Sequence, residues 1–166
     1  MKTATKNPES KVLIRFADCD PLKHLNNARY IDYFINTRED HLMQHYDMDI
    51  YALSQQTGKT WVVASNQIAY IRPAWFMETV TIETTLIKAD KKRLQVEMRM
   101  FNKEKSELKA VMWSTFVHFD VRNQKSAEHQ EELMDFFKEI ECPLESTTTF
   151  EQRVERLKAA TFVLAA

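Results

Sequence analysis

The chain has 166 residues, 44% of them hydrophobic and 28% charged, with a formal net charge of -1. That length supports one domain with a proper core, and the near-zero charge excludes a global attraction to nucleic acid or an anionic membrane, so any anion site must be local. The polar start MKTATKNPES lacks an apolar signal core, no long uncharged apolar run follows, and Cys19 and Cys142 have neither CxxC nor zinc-ligand spacing, which predicts a cytoplasmic protein with free thiols and no membrane span.

In chain order, residues 12–16 are apolar and 18–21 break the run, a short strand ending in a turn. Asn26 or Asn27 is placed to cap a helix, because a short amide can accept a bond from a first-turn N–H. Ala28, Ile31, Phe34 and Ile35 follow at helical spacing, to about residue 44. Residues 45–59 read as irregular chain with one further helical turn, ending at Gly58, the one glycine present. From there the period becomes two. Residues 61–71 are rich in β-formers and stop at Arg72-Pro73, since proline cannot donate to a ladder. Residues 79–87 and 94–100 alternate strictly, and 108–119 are apolar on both faces, as in a central strand covered from both sides. Short charged links join them, as in antiparallel neighbours. The order is strand, long helix, then four strands in a meander.

The remainder is helical again. Residues 126–141 place Leu133, Phe136, Phe137 and Ile140 on one stripe. A second helix, about 150–162, opens on Thr149-x-x-Gln152, a capping-box pattern. Both are expected to cover a sheet face or edge or to meet a partner subunit. The domain division is one domain over 1–166, with a core of about 11–121 and a helical extension of about 126–164.

Chemistry concentrates in RFADCDPLKHLNNARYIDYF, residues 15–34. This segment sets a carboxylate between a strand end and a helix start, where backbone N–H groups point outward unpaired and favour a developing oxyanion. Other constellations are weaker. His41, His45 and Asp49 have a helical metal-ligand spacing without an HExxH motif, so no metal is expected. Cys19 has no histidine partner to recommend it as a nucleophile. His118 and Asp120 share a strand face without a G-x-S-x-G elbow. One glycine rules out a glycine-rich phosphate loop, and basic runs interleaved with aromatics are missing, which argues against nucleic-acid binding.

The pattern Asp18-x-Asp20-x-x-x-His24-x-Asn26-Asn27-x-x-Tyr30, with Tyr70-x-Arg72-Pro73-Ala74 further on, resembles the acyl-CoA thioesterases of the 4-hydroxybenzoyl-CoA thioesterase-like family. The resemblance implies an α+β hotdog fold, a five-stranded antiparallel sheet wrapped around one long helix, here with two extra C-terminal helices. It also implies a homodimer or homotetramer joined edge to edge, with active sites at the subunit interface. Two positions depart from the family pattern: Lys23 stands where the family has glycine, and Met77-Glu78 replaces a common Gly-Asp pair.

Carried onto this chain, the resemblance makes Asp20 the catalytic carboxylate, as nucleophile or as base for a water. Asn27 then supplies a backbone N–H to the thioester carbonyl, helped by the helix dipole, and His24 orients the carbonyl or a water. On the substrate side stand Tyr30, which also suits core packing, Arg72, and the basic turn Lys91, Lys92 and Arg93, which reaches the coenzyme A phosphates of a partner's ligand. Coenzyme A enters as part of the substrate, and no other cofactor is expected. A non-catalytic acyl- or CoA-ligand-binding hotdog protein and a hotdog enoyl-CoA hydratase are the alternatives to a thioesterase.

Overall fold

The computed structural model describes residues 5–164. Strand β1 (Glu9–Leu13) leads through a 3-10 turn (Phe16–Asp18) to α1 (Arg29–Tyr46) and α2 (Ile50–Thr57). Strands β2 (Lys59–Tyr70), β3 (Thr79–Ala89), β4 (Arg93–Asn102) and β5 (Leu108–Asp120) follow, then the two-residue β6 (Lys125–Ser126), α3 (Glu131–Ile140) and α4 (Phe150–Leu164). The sheet is antiparallel in the order β1-β3-β4-β5-β2, with β6 added to β5.

Only β3, β4 and β5 form a meander. The expectation of four consecutive neighbours is corrected by β2, which pairs with β5 across the full register from Lys59↔Asp120 to Tyr70↔Ala110. A strand-by-strand reading of alternation specifies each strand but not its neighbour, and here the 73–78 loop carries the chain from one side of the sheet to the other. As a result β2 sits at an edge, opposite the edge held by β1.

The inner sheet face packs on α1, and Phe34, Val80, Ile82, Met98, Met100 and Met112 are fully enclosed there. Helix α1 also hides polar groups. His41 has both ring nitrogens engaged, Nδ1 with Thr84 Oγ1 at 2.8 Å and Nε2 with Ser10 Oγ at 2.9 Å, so its spacing to His45 serves packing. Helix α3 closes the inner core with Phe137 and Ile140. It starts at Glu131, five residues later than expected, because 125–126 join the sheet and His129 turns into the protein.

On the outer face, α4 covers β5 with Phe150 and Val154 against Val111 and Trp113. Its capping box forms as read, with reciprocal bonds between Thr149 and Gln152 of 3.1 and 3.2 Å. The buried Glu97 fixes α4 electrostatically, accepting two bonds from Arg153 at 2.8 and 2.9 Å and one from Trp113 Nε1 at 2.9 Å. Burial alone would raise the Glu97 carboxyl, but these donors outweigh it and hold the group below the ordinary carboxylate range.

The 45–59 segment holds a full helix, α2, capped by Asp49, whose Oδ1 accepts from Tyr51 and Ala52 N–H. Gly58 ends it at φ 71°, a left-handed conformation where an added Cβ would meet Arg122 Nε at 2.8 Å. Among the described residues, no helix is long and apolar enough to cross a membrane.

Candidate active site

Asp20 sits in a tight loop closed by its own backbone and carboxylate. Its N–H donates to the His24 carbonyl at 2.8 Å, and its Oδ1 accepts from the Leu22 and His24 N–H groups at 2.9 and 3.1 Å. This is an Asx-type turn, and it has a chemical consequence. Two amides hold Oδ1 while, among the described residues, nothing bonds Oδ2, so the carboxylate is fixed in orientation with one oxygen to spare.

That carboxylate opens on a cavity of about 240 Å³ shared with His24, Asn27, Tyr30, Tyr70 and Arg72. The structure therefore brings together five of the eight residues singled out in the sequence. Asn27 stands in the turn before α1, which begins at Arg29 and not at 26 as expected. Asn26 caps that turn, accepting the Ala28 N–H on Oδ1 at 3.0 Å and the Arg29 N–H on its carbonyl at 2.8 Å. Among the described residues, no group accepts the Asn27 N–H. An unpaired donor beside a fixed carboxylate, at the positive end of an 18-residue helix, is a setting in which negative charge on a bound carbonyl oxygen is stabilised.

Tyr30 is 2% exposed, and its hydroxyl accepts the Ala74 N–H at 3.0 Å, so its main engagement is structural, tying α1 to the 73–78 loop. Burial pushes its phenol up, which keeps it neutral. His24 lines the cavity with its ring edge-on to Trp75, centroids 4.2 Å apart. Arg72 is tied to Glu107 at 2.8 Å, and Glu107 also meets the buried Lys109. The bond from Lys109, with help from Arg72, holds the Glu107 carboxyl below its ordinary range. Lys109 also reaches Glu78 at 3.1 Å and the Pro73 carbonyl at 3.1 Å, so this network anchors the 73–78 loop, whose Pro73 lines the cavity.

Asp18 is turned away, accepting from the Tyr33 hydroxyl at 2.9 Å and facing Arg29. Tyr33 also accepts the Arg15 N–H at 3.0 Å, and together they brace the start of the loop. Cys19 donates to the Arg15 carbonyl, and burial, with the Asp18 and Asp20 charges, pushes its thiol up, away from the thiolate a nucleophile needs. Asp120 is occupied with the Arg122 and Asn123 amides, and the His118 ring stacks on both Trp61 and His129 in a three-ring cluster, so they form no triad.

The two departures from the family pattern have a common geometry. Lys23 has φ 62° and Met77 φ 62°, the left-handed region in which glycine is at ease. The Lys23 side chain lines a second depression on the far side of Asp20, with Phe16 and Phe76, and is not among the residues around Asn27. Lys23 therefore does not line the cavity that Asp20 shares with Asn27.

Lys91, Lys92 and Arg93 are not brought to this cavity. Arg93 pairs with Val117 and Tyr70 with Ala110, so the basic turn and the site are separated by seven residues along β5, roughly 23 Å. Among the described residues these three form no ion pair, and the Asp90 carboxylate holds the turn by accepting the Lys92 and Arg93 N–H groups.

Tyr70 is a site residue that the pattern did not single out as one. Its hydroxyl donates to the Asn27 carbonyl at 2.8 Å and its ring packs edge-on to Tyr30 at 5.1 Å. The signal available was its place two residues before Arg72-Pro73, at the end of a strand where a side chain leaves the sheet.

The model of the thioesterase-like superfamily matches residues 14–137. The long-chain acyl-CoA thioesterase FadM of Escherichia coli is 25% identical over 127 residues, covering 76% of this chain and 94% of that protein. Among solved structures, the probable thioesterase YbaW of Escherichia coli is 24% identical with a TM-score of 0.69, covering 80% of this chain and 97% of the other. The DHNA-CoA thioesterase of Staphylococcus aureus is 16% identical with a TM-score of 0.71, covering 93% and 94%. These likenesses establish the hotdog fold that the motif resemblance implied.

Proposed function

The chain belongs to the thioesterase-like superfamily, and from that premise we propose that it hydrolyses an acyl-CoA thioester in the cavity between Asp20 and Asn27. The observation that carries this reading is the pairing, in one cavity, of a carboxylate with a free oxygen and an unpaired backbone N–H at a helix start. Asp20 either attacks the thioester carbon directly, giving a mixed anhydride that water opens, or takes a proton from a water that attacks the same carbon. In both routes the carbonyl oxygen gains the negative charge, the Asn27 N–H stabilises it, the carbon–sulfur bond breaks, and the CoA thiol and a free acid leave. A backbone donor of this kind contributes about 3 kcal/mol to lowering the barrier. His24 orients the carbonyl or the water, and Tyr70 holds the Asn27 peptide in register. The similar FadM is named for long-chain acyl-CoA, and long acyl chains are the first substrates to try.

The substrate's coenzyme A moiety needs cations, and we assign them to Lys91, Lys92 and Arg93 of a second copy. Strand β2 is an edge strand with an unpaired side, and its mid-section is exposed, including Val62 and Val63. Antiparallel pairing of two such edges about a twofold axis runs the Tyr70 end of one copy toward the Lys59 end of the other, where that copy's basic turn lies. This arrangement bridges the roughly 23 Å that separates turn and site within one chain.

The test is thiol release from a panel of acyl-CoAs with wild type and Asp20→Asn. Turnover falls by roughly a hundred- to ten-thousand-fold in the variant, the range for loss of a positioned acid–base group. Equal rates in the two proteins would remove Asp20 from the mechanism. Binding of CoA esters by calorimetry without thiol release points to the non-catalytic reading, and loss of crotonyl-CoA absorbance to the hydratase.

A further inference from the structure

Arg38 is the exception among the buried ionised side chains. Glu83 has Arg99 at 2.8 Å, Glu97 has Arg153 at 2.8 Å, and Lys109 has Glu78 at 3.1 Å. Arg38 is 7% exposed, yet among the described residues it has no carboxylate at ion-pair distance. Its neighbours are neutral: Thr84 Oγ1 accepts from Nη1 at 3.4 Å, and the Tyr46 ring lies 5.8 Å from the guanidinium carbon. Burial pushes its pKa down with only Tyr46 opposing. A guanidinium so desolvated and left without a counter-charge is costly to the fold, and the same residue lines a cavity of about 140 Å³.

Apart from Arg38 and Glu39 the cavity is apolar, with Ile35 and Leu42 on α1, Trp61 on β2, Phe116 on β5 and Phe136 on α3. Glu39 is its other ionisable lining residue and is directed to α2, where it accepts from the Tyr51 hydroxyl at 3.3 Å. We propose that this cavity binds a carboxylate carried on an aliphatic or aromatic body, with the Arg38 guanidinium as its counter-ion. A bidentate guanidinium–carboxylate pair matches the fork geometry of arginine, and the apolar walls take the body. The volume admits a carboxylate with several carbons, given that one water's share of liquid is about 30 Å³.

Two sources carry this chemistry. One is a free fatty acid. The other is the far end of a dicarboxylic acyl-CoA whose thioester lies at Asp20, and only this source rests on the proposed activity. From Arg29, where α1 begins just after Asn27, to Arg38 is nine residues of helix, about 14 Å, a span crossed by an extended chain of roughly a dozen carbons.

Calorimetry with decanoate and decanol tests the site. Wild type binds decanoate at least ten-fold more tightly than decanol; Arg38→Gln loses that preference, and Arg38→Lys keeps part of it. Ile35→Trp, which fills the cavity without touching the charge, weakens decanoate binding ten-fold, and this localises the site even where Arg38→Gln does not fold. Equal affinity of wild type for acid and alcohol, or decanoate binding indifferent to Ile35→Trp, would overturn the proposal. Hydrolysis of dodecanedioyl-CoA against lauroyl-CoA separates the sources. A ten-fold preference for the diacid ester that vanishes in Arg38→Gln assigns the substrate, and no preference, with decanoate still binding, assigns the free acid. Failure to hydrolyse either ester counts against the thioesterase reading and leaves the binding result standing.

Discussion

Lys23 and Met77 each hold a left-handed backbone conformation with a full side chain. The clash of Cβ with the backbone costs about 1–2 kcal/mol at such a residue, offset in part by the extra unfolded-state freedom that glycine brings. Lys23→Gly therefore raises stability by about 0.5–1 kcal/mol in urea unfolding, and Lys23→Val, with its branched Cβ, lowers it. His41 offers a second expectation. Burial, with the nearby His45 and Arg38 charges, lowers its pKa from 6.5 to about 4, so the folded state prefers the neutral ring. Its contribution is fully present above pH about 6.5 and is lost as pH falls toward about 4, on the order of 3 kcal/mol in all. Urea midpoints at pH 7 and 4.5 check this: wild type loses more between them than His41→Gln. Of the residues in the site, Asp20, His24 and Asn27 were legible because their spacing is local. Tyr70 was not, nor was Arg38 in the second cavity, since a long-range hydrogen bond and the balance of buried charge exist only when distant elements meet.

The outer helix α4 is tied to the sheet by one buried charge pair. Removing Arg153 leaves Glu97, which has 0% exposure, with only Trp113 and a more distant Arg99 at 3.5 Å. Breaking a buried pair from one side costs about 3–5 kcal/mol, so Arg153→Met destabilises the protein by about 3 kcal/mol, and hydrogen exchange quickens first along α4. Element boundaries in the sequence were least reliable where polar side chains turn inward. Helix α3 begins late because His129 bonds to the Asp90 carbonyl and to Trp61 Nε1, and these contacts hold 127–130 extended where the apolar stripe of 133–140 gives no warning. The capping box at Thr149 was legible because both its partners lie within one turn.

Two half-sites on one chain, about 23 Å apart along β5, lead to a test at the scale of the assembly. Asp20→Asn lacks the carboxylate, and a Lys91→Ala, Lys92→Ala, Arg93→Ala triple variant lacks the cations. Unfolded together and refolded one to one, they regain activity, approaching about a quarter of the wild-type sites if copies pair at random in a twofold dimer. If the mixture stays at the average of its parents, the basic turn does not serve a neighbour's site.

What depends on short separations is written in the chain: the period of each strand and helix, the reciprocal cap of Thr149 and Gln152, and the Asp20 to Asn27 segment that sets a carboxylate shortly before a helix. The meeting of distant elements sets β2 beside β5 at an edge, ties Tyr70 to the Asn27 carbonyl, and buries Arg38 with no carboxylate at ion-pair distance among the described residues. Local spacing is fixed by backbone geometry, whereas strand neighbours and buried charge balance are set by which distant surfaces exclude water together, and no single segment carries that information.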